Sequence, residues 1–419
     1  MVVVGAGAAG LAAAIFCGRA APGARVVCLD GAKKPGAKIL VSGGGRCNVT
    51  NRIVAEADFW GGSSRVVRSV LRAFPVARAA AFFGELGVAL HEEEDGKLFP
   101  DANRARAVLD ALLTEAARLG IAVEGERRVS AIERDGEGFV VSVASGARYE
   151  SRAVVLATGG RSLPKTGSDG GGYALAARLG HGLVDTTPAL APLLLDDGYH
   201  ATLSGVTQPA AIAVRIDGRL SITLSGSLLW THFGASGPLV LNASRHWHRA
   251  VLAGRSVDLL FNSCPGETFE AVDGWLQEQQ RLRPKASIPS VLSARLPATI
   301  AAAWVSAAGI DGSSTMAHLD REARRALVHV LTAQRLQVRD SRGYNYAEVT
   351  AGGVPLAEID PATMESRVCS GVYLVGEILD VDGRLGGFNF QWAWSSGFVA
   401  GNAVARALAT VPAKRPAPG

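Results

Sequence analysis

The chain opens with Val2-Val3-Val4-Gly5-Ala6-Gly7-Ala8-Ala9-Gly10, and Asp30 follows directly after the apolar run Val26-Val27-Cys28-Leu29. A strand, glycines spaced G-x-G-x-x-G, a helix-forming alanine run and an acid behind a second strand are typical of dinucleotide binding. The glycines permit a tight turn, close approach of a pyrophosphate, and packing of the helix on the strand. The helix N-terminus favours phosphate, and the acid can bind ribose hydroxyls. The predicted contacts are Gly5, Ala6, Gly7, Ala8, Ala9, Gly10 and Asp30.

Composition limits the classes of protein that fit this chain. Its 419 residues, 48% of them hydrophobic, predict two or three domains. The net charge of +5 comes from scattered arginines, which favours a solvated surface over a nucleic-acid surface and leaves RNA as an open partner. Five widely spaced cysteines without C-x-x-C argue against disulfides or a metal site and for the cytoplasm. No apolar run is long enough to predict a membrane span.

The order of elements after the opening turn is informative. An amphipathic helix is predicted over residues 105–119, and short strands follow between residues 128 and 151. An apolar strand over residues 153–157 then ends in Thr158-Gly159-Gly160. This order indicates a nucleotide-binding domain whose crossover is a small antiparallel sheet. Residues 64–86 are predicted to be helical.

The rest of the chain predicts an insertion followed by a return to the first domain. A β-rich segment precedes a helical one, and the apolar strand Val372-Tyr373-Leu374-Val375 ends at Gly376-Glu377. We expect this late strand to lie beside the opening strand, with a helix over residues 388–406 after it. The predicted parts are a nucleotide-binding domain (1–187 and 341–410), a β-rich substrate domain (188–265 and 333–340), a helical subdomain (266–332) and a disordered tail (411–419).

The late strand favours FAD over NAD as the dinucleotide. A plain NAD dehydrogenase usually continues with more βα units, whereas Ala157-Thr158-Gly159-Gly160 after a β-meander resembles the glutathione-reductase-type FAD fold. In that fold the acid of the late strand, here Glu377, contacts the ribityl–phosphate side. The following helix points its N-terminus at the flavin, which favours negative charge on the reduced ring. Gly386-Gly387-Phe388-Asn389 stands at that position.

A second glycine-rich segment, Ser42 to Asn51, is called the glycine loop below. Its three successive glycines allow positive φ and close approach to a ligand. Arg46 can neutralise a phosphate or a flavin carbonyl, and Asn48 can bond the flavin edge. Cys47 has no partner cysteine nearby in sequence, which favours a packed structural thiol over a redox role.

Five motifs in order carry a family resemblance. They are K-x-x-x-S-G-G-G-R-C-N-x-T-N (38–51), A-T-G-G (157–160), W-T-H-F-G-x-S-G-P (230–238), A-E-V-T-A-G-G-V (347–354) and G-E-x-L-D-V-D-G…G-G-F-N-x-Q-x-A-x-S-S-G (376–397). The set resembles the BaiN/RdsA-like family of FAD-dependent oxidoreductases, also called the aminoacetone-oxidase family, over residues 2–403.

The resemblance implies an α/β fold, namely a Rossmann-like FAD-binding domain of glutathione-reductase type interrupted by a β-barrel-like domain with a helical insertion. Family members reduce C=C bonds in steroid-like substrates with NAD(P)H, oxidise small amino-ketones, or reduce a ribosomal RNA uridine. The family therefore specifies the cofactor better than the substrate. The further cofactor contacts that it implies are Lys38, Ser42, Gly43, Gly44, Gly45, Arg46, Cys47, Asn48, Val129, Ala157, Thr158, Gly159, Gly160, Gly376, Glu377, Gly386, Gly387, Phe388 and Asn389.

Some positions depart from the family pattern. Asp30 stands where Glu is common, and Trp230, Trp392 and Trp394 stand where smaller or other aromatic residues are frequent. Trp392 and Trp394 lie on different faces of their helix, and whether either narrows the substrate cavity is open. The glycine-rich stretch 167–173 follows no clear strand, so NAD(P)H is expected to reach a shared open site rather than a domain of its own.

Hydride chemistry belongs to the flavin, and the protein must supply a proton. His232 is the first candidate for the catalytic proton donor, and a structural histidine that bonds its own loop is the alternative. Glu348 is expected to anchor the domain crossing rather than to act in catalysis. The leading function is a cytoplasmic NAD(P)H-dependent reductase of a C=C or related bond in a small organic substrate. An amino-ketone oxidase and an RNA uridine reductase remain alternatives, and the oligomeric state is open.

Overall fold

The structure, a computed structural model, describes residues 1–196 and 198–409. Contacts divide the chain into one unit formed by Met1–Thr186 and Glu348–Gly419, and a second formed by Thr187–Ala347. The tail 411–419, predicted to be disordered, lies outside the described residues, as does residue 410. The three-part division that the sequence suggested, with a separate helical subdomain, stays a prediction.

A five-stranded parallel sheet forms the centre of the first unit. Its strands are short and almost wholly apolar because both faces of such a sheet are covered. The opening strand pairs with Val154–Leu156 on one side and with Val27–Leu29 on the other. Across the sheet the strands follow the order Val372–Leu374, Val154–Leu156, Val2–Val4, Val27–Leu29, Ala122–Glu124.

The prediction that the late strand lies beside the opening strand was wrong. Val154–Leu156 lies between them and pairs in parallel with both. All three residues of this middle strand are fully buried, so it needs a neighbour on each side. Val154–Leu156 and Val372–Leu374 are both short apolar runs, so the sequence does not indicate which of the two strands lies next to the opening strand.

Two helices pack against each other unusually closely next to this sheet. They are Ala8–Ala20 and the last helix, Phe388–Ala409. A Cβ added at Gly401 would lie 2.5 Å from the Ala13 carbonyl oxygen. A helical glycine costs about 1 kcal/mol relative to alanine, and the close contact of two small-residue faces offsets that cost. The alanine-rich sequence after the opening glycines therefore serves packing as well as helix propensity.

The remaining elements of the first unit surround this core. The predicted helix over residues 64–86 is divided at Pro75, whose missing N–H and fixed φ interrupt helical hydrogen bonding. The predicted crossover sheet is present, and its turn has Gly136 at φ 54°. The other helices are Ala37–Val41, Ser64–Ala73, Val76–Glu85, Ala105–Arg118 and Gly171–Arg178. The other strands are Thr50–Asn51, Phe59–Gly61, Leu90–Glu92, Lys97–Pro100, Val129–Asp135, Gly138–Val143, Arg148–Ser151, Val349–Gly353 and Val381–Gly383.

The second unit contains a seven-stranded antiparallel sheet and six helices among its described residues. The strands follow the order Gln334–Leu336, Val257–Asn262, Thr207–Ile216, Arg219–Thr231, Gly234–Ser236, Leu193–Leu195, Val338–Ser341. The helices are Tyr199–Thr202, Gly237–Leu252, Phe269–Leu282, Ile288–Leu292, Ala298–Ala307 and Arg321–Ala333. The strand Val184–Ala189, which pairs with Val349–Gly353, spans the boundary between the units.

The helix Gly237–Leu252 was missed within a segment predicted to be β-rich. Pro238 occupies its first turn, where a missing N–H is tolerated. Leu239, Val240, Ala243 and Trp247 recur at helical spacing and are all buried. Proline just inside the start and this periodicity were the signals that could have identified the helix.

Candidate functional site

The three glycines of the N-terminal glycine turn, residues 5–10, occupy three different environments. Gly5 has φ +103°, and a Cβ there would lie 2.4 Å from the Ala157 carbonyl oxygen. A Cβ at Gly10 would lie 1.9 Å from the Gly5 carbonyl oxygen. A Cβ at Gly7 would meet no atom within 4 Å. The first and last glycines are therefore required by the protein itself, whereas Gly7 borders open space that a ligand can enter.

The helix that begins at Ala8 provides a site for an anion at this open space. Gly7 is its N-cap, and the first turn has neither a side-chain cap nor an acidic residue. Its N-terminal N–H groups and the positive end of the helix dipole suit a phosphate. The Asp30 carboxylate lies close by, since it accepts hydrogen bonds at 2.8 Å from the Ala6 and the Ala32 backbone nitrogens. The Asp30 carboxylate has further lone pairs, which can accept hydrogen bonds from ribose hydroxyls.

The ends of two further parallel strands reach the same edge of the sheet. Gly160 follows the strand Val154–Leu156, and a Cβ there would lie 2.4 Å from Thr350 Oγ1. A Cβ at Gly376, which follows the strand Val372–Leu374, would lie 2.7 Å from the Ala9 side chain. In open α/β sheets, ligands bind outside the carboxyl ends of the strands. The sequence-predicted residues Ala157, Thr158, Gly159, Gly160, Gly376 and Glu377 thus lie at one edge with the N-terminal glycine turn.

A polar cluster of Lys38, Ser162, Thr350 and Glu377 occupies this edge. Lys38 Nζ lies 2.5 Å from Glu377 Oε2 and donates to Ser162 Oγ at 2.7 Å. Glu377 Oε1 accepts from the Thr350 backbone nitrogen and from Ser162 Oγ, both at 2.8 Å. An ammonium has three donors, and the described residues use two of those on Lys38. Glu377 is thus held by protein groups, and its direct contact with a cofactor stays a prediction.

Sequence reasoning missed two members of this cluster. Ser162 comes two residues after the predicted A-T-G-G motif, and Thr350 lies inside the quoted motif A-E-V-T-A-G-G-V. Thr350 Oγ1 accepts hydrogen bonds from the Arg161 and Ser162 backbone nitrogens, at 2.8 and 3.2 Å. Polar side chains next to motif glycines were the available signal for both residues.

The glycine loop has the backbone that its sequence predicted. Gly43, Gly44 and Gly45 have φ values of 53°, 66° and 83°, and a Cβ at Gly44 would meet no atom within 4 Å. Ser42 Oγ donates to the Ile39 carbonyl oxygen at 2.7 Å. The loop therefore combines an open backbone position with side chains that are bonded to the protein.

Arg46 is held by an acidic and an aromatic partner. Its guanidinium donates to both carboxylate oxygens of Glu93, at 2.7 and 3.1 Å, and lies 4.1 Å from the centre of the Phe99 ring. A cavity of about 530 Å³ is lined by Arg46, Glu93, Glu94, Lys97 and Phe99. Contact of Arg46 with a phosphate or a flavin carbonyl stays a prediction.

Cys47 is a packed thiol in the structure. Its side chain is fully buried, and burial raises the pKa of Cys47 to about 12, although a hydrogen bond from Ser42 lowers it in part. A thiolate is required for nucleophilic or redox chemistry. A structural role, as the sequence suggested, fits this environment, and contact of Cys47 with the cofactor stays a prediction.

The turn that begins the last helix packs against the glycine loop. Gly387 has φ +92°, and a Cβ there would lie 2.4 Å from the Thr50 carbonyl oxygen. With its amide oriented to suit its neighbours, Asn48 donates to the Thr50 carbonyl oxygen at 2.7 Å and accepts from the Gly387 nitrogen at 3.2 Å. Asn389 forms two hydrogen bonds with the Gly383 backbone, at 2.8 and 2.9 Å. Both amides stabilise this turn, and their contact with a flavin stays a prediction.

The aromatic residues of the last helix belong to the core. Phe388, Trp392 and Trp394 are at most 1% exposed. The Trp392 indole donates to the Gly376 carbonyl oxygen at 3.1 Å, and the Trp394 indole donates to the Val49 carbonyl oxygen at 2.8 Å. The two indoles therefore hold the helix to the late strand and to the glycine loop. Val129, the remaining predicted contact, is buried at the start of its strand.

His232 lies in the second unit, between the strands Arg219–Thr231 and Gly234–Ser236. The residue is exposed, and its ring centre lies 5.1 Å from that of Phe233. Trp230, two residues earlier, is fully buried against the rings of Tyr199 and Trp304. Exposure leaves the His232 imidazole accessible, and its role as proton donor stays a prediction.

The described part of the chain has neither a cluster of metal ligands nor a helix that could cross a membrane. Residues 1–196 and 198–409 contain no group of three or more His, Cys, Asp or Glu side chains that could hold a metal ion. No helix within those residues has the length and apolar character needed to cross a membrane.

Comparison with known proteins identifies the family. The family described as HI0933-like protein Rossmann domain matches residues 1–403. A 3-dehydro-bile acid delta(4,6)-reductase of Clostridium scindens is 32% identical over 403 residues, covering 96% of this chain and 98% of the relative. A ribosomal RNA dihydrouridine synthase of Escherichia coli is 34% identical over 398 residues, covering 94% and 95%.

A solved structure of quinol-fumarate reductase with menaquinol molecules matches with a TM-score of 0.50 and 17% identity, over 99% of this chain and 72% of that chain. That likeness concerns the fold alone. The predicted α/β fold, the family resemblance and the prediction of an oxidoreductase that uses FAD are confirmed. The chain belongs to the HI0933-like Rossmann-domain family and is a FAD-dependent oxidoreductase.

Proposed function

We propose that the protein reduces a C=C bond of an organic substrate at the expense of NADH or NADPH, with steroid-like enones such as bile acids as the substrate class. The observation that carries the proposal is the similarity to the bile acid reductase, which extends over 96% of this chain and 98% of that relative. The site agrees with a bound dinucleotide, because the space beside Gly7 is open and the helix behind it has no side-chain cap.

Residues of the first unit are assigned to FAD as follows. Gly7 and the start of the helix Ala8–Ala20 hold the pyrophosphate, and Asp30 holds the adenosine ribose. Lys38, positioned by Glu377 and Ser162, has one donor left for the cofactor. FAD held by these residues would supply the hydride chemistry between a reduced nicotinamide nucleotide and the substrate. The protein must position both partners and provide the accompanying proton.

Anaerobic stopped-flow absorbance tests the proposal. Purified protein is expected to release FAD on denaturation and, when intact, to lose its flavin absorbance on mixing with NADH or NADPH. Addition of a 3-dehydro-4,6-diene bile acid should then restore the absorbance and consume the substrate. Two results would contradict the proposal. The first is purified protein that contains no flavin, and the second is reduced flavin that is reoxidised only by molecular oxygen, with formation of peroxide. The second result would favour an oxidase.

A second candidate function is reduction of a uridine in ribosomal RNA. It is favoured by 34% identity over 94% of this chain to a dihydrouridine synthase. Against it, arginines in both units are paired with carboxylates, for example Arg46 with Glu93 and Arg324 with Asp273. Such pairs leave less positive charge for phosphates. Loss of a ribosomal dihydrouridine in a deletion strain, with salt-dependent RNA binding by the protein, would favour this function over the first.

The cytoplasm is the proposed location. It is supported by the five cysteines, all of which carry free thiols in the structure, since disulfides are rare in reducing compartments. Fractionation of the source cells would test the location.

A further inference from the structure

An aromatic and cationic patch lies at one edge of the seven-stranded sheet in the second unit. It consists of His232, Phe233, Arg342 and Tyr346 and is called the arginine patch below. The Arg342 guanidinium carbon lies 3.3 Å from the centre of the Tyr346 ring and 4.7 Å from the centre of the Phe233 ring. The His232 ring lies on the other side of this contact in sequence, with its centre 5.1 Å from that of Phe233. All four residues belong to the second unit.

The strand Leu193–Leu195 holds the backbone on both sides of the arginine patch. The Leu195 nitrogen donates to the Phe233 carbonyl oxygen at 3.2 Å, and the Arg342 nitrogen donates to the Pro192 carbonyl oxygen at 3.0 Å. The same strand pairs with the strands that precede Arg342 and follow Phe233. The stacked guanidinium and ring are therefore attached to one sheet edge.

The Arg342 guanidinium has aromatic contacts but no acidic partner. Arg295 provides a comparison, because its guanidinium lies 4.1 Å from the centre of the Trp275 ring and also donates to the Glu267 carboxylate at 2.9 Å. Within residues 1–196 and 198–409, no group forms an ion pair or a hydrogen bond with the Arg342 guanidinium. Asp340, two residues earlier, accepts from the neighbouring backbone nitrogen instead. The N–H donors of Arg342 are thus left for a ligand.

The composition of the arginine patch indicates what kind of ligand fits. A guanidinium presents its donors in a planar fork that matches a carboxylate. Tyr346 is 50% exposed, and Phe233 and Arg342 are half-buried, so apolar ring surface lies beside the charge. Stacking on the rings orders the arginine before a ligand binds, which lowers the entropic cost of binding. An organic anion with an apolar body uses both the charge and the rings, whereas a phosphate group uses the charge alone.

We propose that the arginine patch binds the carboxylate of the organic substrate, an inference that rests on the function proposed above. A bile acid carries a carboxylate on an apolar ring system, so its charge suits Arg342 and its body suits the aromatic rings. His232, the candidate proton donor from the sequence, is exposed beside the same rings. The chain re-enters the first unit at Glu348, two residues after Tyr346. Arg342 determines substrate specificity and takes no part in hydrogen transfer.

Calorimetric titration of the oxidised, FAD-loaded protein with a 3-dehydro-4,6-diene bile acid tests the inference, because oxidised flavin cannot reduce this ligand. Arg342→Met retains apolar contact with the rings and should weaken binding about thirtyfold, as expected for loss of a charge-assisted hydrogen bond. Arg342→Lys keeps the charge without the planar fork and should weaken binding less. The matched control is Arg219→Met, at the exposed start of the strand Arg219–Thr231, which removes the same charge from the same unit and should bind as wild type does.

The methyl ester of the same bile acid separates recognition from a structural role of Arg342. The ester has no negative charge, so wild type and Arg342→Met should bind it equally. A structural role would weaken binding of the acid and of the ester alike, and that result would overturn the inference. Equal binding of the acid by wild type and Arg342→Met would also overturn it. A loss of affinity for NADPH or for ribosomal RNA, with bile acid affinity unchanged, would do the same, since the patch would then bind phosphate.

Stopped-flow reoxidation by the bile acid distinguishes failure of this inference from failure of the proposed function. Arg342→Met should need about thirtyfold more bile acid for half of the limiting rate, and its limiting rate should stay within threefold of wild type. If wild type reduces the bile acid and Arg342→Met behaves identically, the proposed function stands and this inference is wrong. If wild-type protein holds FAD but does not reduce the bile acid, the proposed function is wrong, and this inference fails with it.

Discussion

The N-terminal glycine turn and the glycine loop look alike in sequence but differ in what occupies them. At the first, Gly7 borders open space and the helix behind it is uncapped. At the second, Gly44 also borders open space, but Arg46 bonds Glu93, and the Asn48 amide bonds the Thr50 and Gly387 backbones. The comparison teaches that similar glycine runs can serve a ligand directly or shape the protein around it. The distinction depends on the partners of neighbouring side chains, which a motif does not contain.

The largest expected effect is on stability, and it distinguishes a glycine that is required for packing from a glycine that faces a ligand. Alanine normally stabilises a helix by about 1 kcal/mol relative to glycine, but a Cβ at Gly10 would lie 1.9 Å from the Gly5 carbonyl oxygen. We expect Gly10→Ala to lower the free energy of unfolding by about 3 kcal/mol, the upper end of overpacking costs, in urea titrations without FAD. Gly84→Ala is the control, because a Cβ there meets nothing within 4 Å. Equal stability of both variants would refute the packing role.

The next largest effect is on FAD binding rather than on the stability of the protein. Gly7 has an extended backbone that alanine can adopt, and a Cβ there is clear of protein atoms. We expect Gly7→Ala to raise the dissociation constant for FAD at least thirtyfold, about 2 kcal/mol, as measured by quenching of FAD fluorescence. The FAD-free protein should lose no more than about 1 kcal/mol of stability, the usual cost of alanine at an N-cap. Unchanged FAD affinity would show that the phosphates bind elsewhere.

The alkaline stability of the glycine loop depends on Cys47. Burial raises the pKa of Cys47 to about 12 in the folded protein, against about 8.5 in the unfolded chain. The protonated Cys47 thiol therefore contributes its full stabilisation of the folded protein below pH 8.5, and this contribution is lost as the pH rises toward 12. Between pH 8 and 9.5, wild type should lose about 1.3 kcal/mol more than Cys47→Ala, by urea titration at each pH. Parallel pH curves for the two proteins would mean that the thiol is not buried.

These differences explain which features sequence could and could not predict. The roles of Gly5, Gly7 and Gly10 depend on spacing within six residues, so the motif contains them. The Lys38–Glu377 pair joins residues 339 positions apart, and no local pattern specifies it. The position of Val154–Leu156 next to the opening strand likewise could not be predicted, because Val372–Leu374 is a similar apolar strand. Local backbone requirements are readable from sequence, whereas side-chain partners depend on the assembled fold.

The smallest effect tests the glycine loop most directly. The ion pair of Arg46 and Glu93 has side chains that are 40% and 33% exposed, so solvent screens it. We expect Arg46→Met, which retains apolar contact with Phe99, to lower stability only slightly and to change FAD affinity less than threefold. A double-mutant cycle with Glu93→Gln should return a similarly small coupling energy.

The opposite result for Arg46 would be equally informative. A tenfold loss of FAD affinity in Arg46→Met without loss of stability would mean that FAD draws the guanidinium away from Glu93. Arg46 would then bind the cofactor, as its position in the motif predicts, and the ion pair would belong to the ligand-free protein only. In Glu93→Gln, where the competing carboxylate is absent, FAD affinity should then rise. If the ion pair is structural, the same variant should lose stability and leave FAD affinity unchanged, so the FAD affinity of Glu93→Gln alone distinguishes the two accounts of the glycine loop.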